Sequence, residues 1–174
     1  GLAHEAGGGK QVLSQVLQAL RTLGLEPEIA NSLVLRRGPY VVAAGMDESD
    51  DTQEVVLDGL WVNLYDADLV VVGSPVIRPD TRWLLYDVAA CPSHPWVIAA
   101  AGRVDEETYD EHSLTCRISG MADTIRCLRA KLPAKPAGVT VDGVDNDFAW
   151  DERSKTVLVR FPNRPAGTGV QIRW

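Results

Sequence analysis

Four short stretches near the carboxyl end decide the fold: Val139-Thr-Val-Asp-Gly143, Phe148-Ala-Trp-Asp151, Lys155-Thr-Val-Leu-Val-Arg-Phe161 and Val170-Gln-Ile-Arg-Trp174. Within them apolar and polar residues alternate, and Gly, Pro, Asn or Asp residues separate one stretch from the next. This pattern is typical of antiparallel strands that bury one face. The stretches therefore predict a sheet protein, and no constellation of catalytic residues accompanies them.

The same pattern continues toward the amino end of the chain. Further strands are predicted at 33–36, 40–44, 54–57, 60–65, 68–72, 75–78, 81–88, 96–101, 103–108, 112–118 and 123–129. Asp58-Gly59 is a strong signal for a tight hairpin, which predicts that 54–57 pairs with 60–65. So many short strands at regular spacing predict an all-β fold, a two-sheet antiparallel β-sandwich with a short amino-terminal helix.

The amino end has a different periodicity. Residues 10–23 carry apolar side chains at helical spacing, and Gly24 is well placed to end a helix. We expect residues 1–31 to be a flexible start plus an amphipathic helix or linker from a preceding domain, and residues 32–174 to be the sandwich. The apolar stripe of the helix needs a partner, either the sandwich, another domain or a second copy in a homodimer, and we favour another domain.

Length and charge exclude several classes of function. The chain has 174 residues and a net charge of −7, with acidic residues scattered along it. Nucleic acids and anionic membranes need a concentrated basic surface, so neither is an expected partner. No apolar run approaches the roughly 18 residues that span a bilayer. A start at Gly1 is expected of a processed product or an excised fragment.

The cysteines leave two readings open. If 112–118 and 123–129 form a hairpin, Cys116 and Cys127 lie opposite each other on its buried side, as two core thiols or as a cross-strand disulfide. Cys91 has no partner in the sequence pattern.

The acidic residues include a candidate calcium site but no recognisable catalytic pair. They fall mostly in loops, where no pair stands out as the two carboxyl groups of a glycosidase. Asp142, Asp145 and Asp147, with Asn146 between them, could bind calcium through oxygen ligands, and the loop Asp47 to Asp51 is a second candidate. The alternative is that these residues only form turns.

The aromatic residues suggest a sugar-binding platform. If Leu60, Val62 and Leu64 face the core, then Trp61, Asn63 and Tyr65 lie on the opposite face. Flat rings beside an amide suit stacking on a sugar, and Trp83 is a weaker candidate for the same role. The alternative is that a neighbouring domain, the helix or another subunit covers this face.

The order of these elements resembles a known family. The resemblance covers residues 32–174 and is carried by Arg37-Gly-Pro-Tyr-Val-Val-Ala-Ala44, Leu57-Asp-Gly-Leu-Trp-Val-Asn-Leu-Tyr-Asp66, Val139 to Gly143, Phe148 to Trp150, Thr156 to Arg160 and Gln171 to Trp174. This part of the chain is similar to the C-terminal β-sandwich domains of TIM-barrel glycoside hydrolases of the α-glucosidase type. In that family the catalytic carboxylates lie on the barrel, so the resemblance transfers no catalytic residue to this chain.

The resemblance implies a function without chemistry of its own. On this reading the chain is an accessory domain that packs on and supports a catalytic domain of the same polypeptide, and the glycoside context favours a secreted or periplasmic location. One alternative is a carbohydrate-binding module that uses Trp61 and Tyr65. A second is a small hydrolase whose acidic residues are not recognisable, and neither the sugar nor the oligomeric state follows from the sequence.

Overall fold

The computed structural model describes residues 8–27, 30–46, 54–122 and 125–174. The all-β class, an antiparallel sandwich with an amino-terminal helix, is confirmed. The elements are α1 (Gly8–Thr22), β1 (Ser32–Arg37), β2 (Tyr40–Gly45), β3 (Val55–Val56), β4 (Leu60–Asn63), β5 (Val71–Gly73), β6 (Val76–Ile77), β7 (Arg82–Asp87), a 3-10 helix (Val88–Ala90), β8 (Trp96–Ala100), β9 (Arg103–Tyr109), β10 (Ser113–Ser119), β11 (Ile125–Lys131), β12 (Gly138–Val141), β13 (Val144–Asp145), β14 (Phe148–Asp151), β15 (Thr156–Pro162) and β16 (Thr168–Arg173).

The chain divides into two compact units, Gly1–Asn31 and Ser32–Trp174. In the first unit, α1 ends where Gly24 adopts a φ of 74° and donates its N–H to the carbonyl of Arg21 at 3.0 Å. A glycine tolerates this left-handed conformation, which explains why the helix stops there. Among the described residues, no helix is long and apolar enough to cross a membrane.

The described residues of the second unit form four antiparallel sheets. We call them the first sheet (β1-β2-β7-β4-β5), the middle sheet (β14-β15-β11-β8), the third sheet (β13-β12-β16-β10-β9) and the small sheet (β3-β6). The middle and third sheets form the sandwich that the sequence predicts. Their shared core includes Leu128, Val159 and Phe161 from the middle sheet and Leu114 and Ile172 from the third.

The first sheet adds a layer on the other side of the middle sheet. Val62 and Tyr86 of the first sheet pack with Ile98 and Leu158 of the middle sheet. The middle sheet is therefore buried on both faces, and the consecutive residues Thr156–Val159 of β15 are all buried. A strand buried on both faces reads as a continuous apolar run instead of an alternating one.

Polar contacts fasten the loop after β4 to the middle sheet. The Cys127 thiol donates to the carbonyl of Ala67 at 2.8 Å, and the guanidinium of Arg160 pairs with Asp68 at 2.9 Å. Arg129 is 6% exposed and donates to the Thr156 hydroxyl at 2.8 Å. The bonds to Ala67 and Asp68 connect the first sheet to the middle sheet, whereas the bond between Arg129 and Thr156 lies within the middle sheet.

The predicted hairpin at Asp58-Gly59 is wrong. β3 pairs with β6, and β4 pairs with β5 and β7. Gly59 accepts a hydrogen bond from the N–H of Ser74 at 2.8 Å, and Leu57 donates to the carbonyl of Pro75 at 3.0 Å. These contacts with the segment before β6 replace the local pairing. Asp58-Gly59 therefore connects the small sheet to the first sheet.

Candidate functional site

Trp61, the centre of the predicted sugar platform, is a core residue. It is 1% exposed and packs in a cluster with Val41, Ile77 and Leu85, while its indole N–H donates to the carbonyl of Leu57 at 3.2 Å. The reason is that the small sheet covers the face of the first sheet that was expected to meet solvent. A buried ring cannot stack on a sugar, so the structure corrects the predicted role of Trp61.

The other members of the predicted platform do not converge on a common surface. Asn63 is half-buried, and its side-chain oxygen accepts the N–H of Tyr65 at 3.1 Å. Trp83 is half-buried and donates to the carbonyl of Val76 at 3.3 Å. Tyr65 is 64% exposed, but it follows the end of β4 and lines an open cleft of about 350 Å³. Tyr65 alone keeps the exposure that a stacking residue needs.

The predicted calcium ligands take part in turn and strand structure. Asp142 and Gly143 have φ values of 50° and 81°, and they form the two-residue connection between β12 and β13. The Asp142 carboxylate accepts the N–H of Gly169 at 2.8 Å and pairs with Arg164 at 3.2 Å.

The other two predicted calcium ligands, Asp145 and Asp147, lie on different elements of the fold. Asp145 lies on β13 opposite Thr140, and Asp147 follows in the loop before β14. Across the described part of the chain, no group of three or more His, Cys, Asp or Glu side chains is arranged to hold a metal ion. The second candidate loop, 47–51, lies outside the described residues.

The cysteines are free thiols on opposite sides of the middle sheet. Cys116 lies in the core between the middle and third sheets, whereas Cys127 faces the first sheet. The predicted hairpin between them does not form, because their strands β10 and β11 belong to different sheets. Burial raises the pKa of the Cys116 thiol to about 12 and also raises the pKa of Cys127, so neither thiol is primed to react as a thiolate.

Two carboxyl groups among the described residues, Asp110 and Glu152, have lowered pKa values. Backbone N–H donation, led by that of His112, lowers the pKa of Asp110. A hydrogen bond from Lys155, followed by one from Trp150, lowers the pKa of Glu152. A glycosidase acid needs the opposite shift, toward a raised pKa. These two carboxylates therefore suit structural and binding roles.

An exposed apolar surface on the first sheet is the feature that the sequence reasoning missed. Leu33 and Leu35 of β1 and Tyr40 and Val42 of β2 are 52%, 61%, 46% and 38% exposed. The register places Leu35 beside Val42 and Val42 beside the half-buried Leu84 of β7, so these side chains share one face. We call Leu33, Leu35, Tyr40, Val42 and Leu84 the bare face.

A signal for the bare face is present in the sequence. Tyr40-Val-Val-Ala-Ala44 is apolar at consecutive positions, a pattern that predicts burial on both sides. One side of β2 is buried through Val41 and Ala43, but the other is not. On the opposite face of β1, Arg36 pairs with Asp87 at 3.0 Å and lies over the Trp61 ring, so that arginine is already partnered.

Comparison with known proteins finds similarity to solved structures at low sequence identity. No protein-family model and no curated protein matches the chain. Among solved structures, a GH31 dextranase of Flavobacterium johnsoniae in complex with isomaltotriose is similar with a TM-score of 0.41 and 10% identity, over 94% of this chain and 31% of that one. The same dextranase in complex with glucose has a TM-score of 0.31 and 12% identity, over 78% of this chain and 26% of that one. An uncharacterized protein of Listeria monocytogenes EGD-e has a TM-score of 0.30 and 14% identity, over 77% of this chain and 18% of that one. The chain thus spans less than a third of each of these structures.

Proposed function

We propose that this chain is a non-catalytic C-terminal accessory domain of a glycoside-hydrolase-like protein, and that its bare face packs on a catalytic domain of the same polypeptide. The single observation that carries the proposal is the bare face, because a contiguous exposed apolar surface of this kind marks an interaction site. The resemblance of residues 32–174 to the C-terminal sandwiches of TIM-barrel glycoside hydrolases supports the choice of partner.

The energetics favour docking within one polypeptide. Burying an exposed leucine or valine side chain contributes about 1.5–3 kcal/mol at most, and these side chains are already partly covered. Four such residues make a modest interface in a bimolecular complex. A covalent connection raises the effective concentration to the millimolar range, at which a modest interface is sufficient.

The helix fits the same arrangement when it is considered by itself. Val12, Leu13 and Val16 of α1 form an apolar stripe and are 42–48% exposed. On this proposal α1 is the last helix of the preceding domain or the linker from it. A helix with one apolar stripe is stable when that stripe packs on a partner.

The proposal is tested by co-expression with the catalytic domain that the parent reading frame encodes beside this chain. We expect the two parts to associate in size-exclusion chromatography and calorimetry. Leu35→Lys and Val42→Lys place a charge on the bare face and should weaken association at least tenfold. Val144→Lys is the matched control, since Val144 is 69% exposed on β13 of the third sheet.

Two results would overturn the proposal. The first is a parent reading frame without a catalytic domain of this kind. The second is association that Val144→Lys weakens as much as Leu35→Lys does, because the interface would then not be the bare face. Circular dichroism of each variant shows whether it is folded before binding is compared.

A further inference from the structure

A groove at the end of the sandwich is separate from the bare face. It consists of two adjoining clefts of about 590 and 420 Å³ that share Asp110, Glu111 and Trp174. It lies where the tip of the β9–β10 hairpin meets the end of β16. The predicted platform residues of the first sheet do not line it.

The groove has a rigid frame. The carboxylate of Asp110 accepts the N–H groups of His112 and Ser113, both at 2.7 Å, and its own N–H donates to the carbonyl of Ser113 at 2.9 Å. The N–H of Trp174 donates to the carbonyl of His112 at 3.0 Å. These bonds close the turn on itself and fasten it to the last strand, so the groove is preformed.

Flat rings form one wall. Tyr109 is 52% exposed, and the ring of His94 stacks on it with centroids 4.8 Å apart and planes 5° apart. Trp174 is half-buried against the sandwich core, and Pro95 and Pro133 complete this wall. His94 occupies one face of the Tyr109 ring and holds it in place. The ring therefore loses less conformational entropy when a ligand stacks on its other face.

Planar polar groups form the other wall. Gln171 and Arg173 alternate along β16 with the buried Val170 and Ile172, so their side chains lie on the outer face of the third sheet. Glu111 extends from the turn. Among the described residues, the side chains of Glu111, Gln171 and Arg173 have no hydrogen-bond or ion-pair partner, so their bonding capacity is available to a ligand.

We propose that this groove binds a neutral saccharide. An aromatic ring offers a flat apolar surface to the C–H face of a pyranose. The carboxylate of Glu111, the amide of Gln171 and the guanidinium of Arg173 can each bond two adjacent groups, which matches vicinal hydroxyls that both donate and accept. Glu111 and Arg173 have opposite charges, so the wall favours an uncharged polar ligand.

A proline-rich peptide is the competing ligand for an aromatic-lined groove. Such a peptide offers mainly carbonyl acceptors, because proline has no N–H. It would bond Arg173 but offer the carboxylate of Glu111 no donor, whereas the hydroxyls of a saccharide can bond both side chains. The polar wall therefore favours the saccharide.

The test is calorimetric titration of the chain with maltotriose, cellotriose, xylotriose and mannotriose, and with a proline-rich decapeptide. We expect at least one trisaccharide to bind, with chemical-shift changes at the Trp174 indole N–H. Tyr109→Ala and Glu111→Ala should each weaken that binding at least tenfold. Tyr65→Ala removes an exposed tyrosine of the first sheet's loop, 64% exposed against 52% for Tyr109, and is the matched control.

The outcomes separate this inference from the docking proposal. A folded chain that binds none of the trisaccharides overturns it, as does binding that persists in Tyr109→Ala and Glu111→Ala. Binding of the decapeptide alone at the Trp174 resonance also overturns it in favour of a peptide site. Leu35→Lys on the bare face should leave saccharide affinity unchanged, so failure of one proposal leaves the other standing.

Discussion

At the scale of single residues, Trp61 shows how burial decides between a binding role and a structural one. Alternation along β4 correctly assigns Trp61 and Val62 to opposite faces, but both are buried, because the first sheet has a layer on each side. The sequence predicts strands at the positions of β3 and β6 but not that they pair with each other, since they come from separate segments and are only two residues long. Long-range pairing of this kind is invisible to periodicity.

Trp61→Ala should therefore destabilise the protein. The change removes a fully buried ring and leaves the carbonyl of Leu57 without its donor, so we expect a loss of about 3–5 kcal/mol in the free energy of unfolding. Urea denaturation followed by circular dichroism measures it. Tyr65→Ala should change that free energy by no more than about 0.5 kcal/mol, and a Trp61→Ala variant as stable as the Tyr65 variant would contradict the assignment of Trp61 to the core.

At the scale of elements, strand positions were predictable and several strand partners were not. β1, β2, β14, β15 and β16 begin and end within about two residues of the predicted strands. Turn residues and alternation are local signals, which explains this agreement. Partner choice depends on which sheet a strand joins, so the local hairpin at Asp58-Gly59 and the facing of Cys116 and Cys127 were both predicted incorrectly.

A matched pair of leucines tests the two environments that these elements create. Leu158 on β15 is 5% exposed and faces the first sheet, whereas Leu35 on β1 is 61% exposed. Leu158→Ala should lower the free energy of unfolding by about 2–5 kcal/mol. Leu35→Ala should change it by less than about 0.5 kcal/mol. Denaturant titration with both variants decides the matter, and equal effects would show that the bare face is not exposed in solution.

At the scale of the whole molecule, the two surfaces that we propose for recognition are separate from each other. The bare face lies on the first sheet, and the groove lies at the end of the sandwich formed by the middle and third sheets. The groove was not predictable, because Tyr109 and Glu111 are far from Trp174 in the sequence, and the pairing of β10 with β16 brings them together. Its residues form no recognisable motif in the sequence.

The folded molecule should lose stability at high pH. Burial raises the pKa of Cys116 from 9.0 to about 12 and that of Tyr86 from 10.0 to about 12. Both groups ionise first in the unfolded chain, so the stability that they contribute is complete below pH 9 and is lost as the pH rises toward 12. We expect the free energy of unfolding to fall by at most about 1.4 kcal/mol per pH unit for each group.

Cys116→Ala should make this slope shallower between pH 9 and 12. Val170→Ala is the control, because Val170 pairs with Cys116 and its truncation removes buried volume without removing a thiol. The control should lower stability at every pH and keep the original slope. Identical slopes in the two variants would show that the Cys116 thiol does not drive the alkaline loss.

The double burial of the middle sheet determines where this chain can accept sequence variation. In a saturation-mutagenesis library, the consecutive positions Thr156–Val159 should all reject charged substitutions, whereas β10 should tolerate them at every second position, as at Arg117. We therefore expect tolerated substitutions and insertions to lie in the outer sheets and their connections. We would graft a new peptide first at the tight turn Asp142–Gly143. This turn is not enclosed between two layers as the doubly buried strand is.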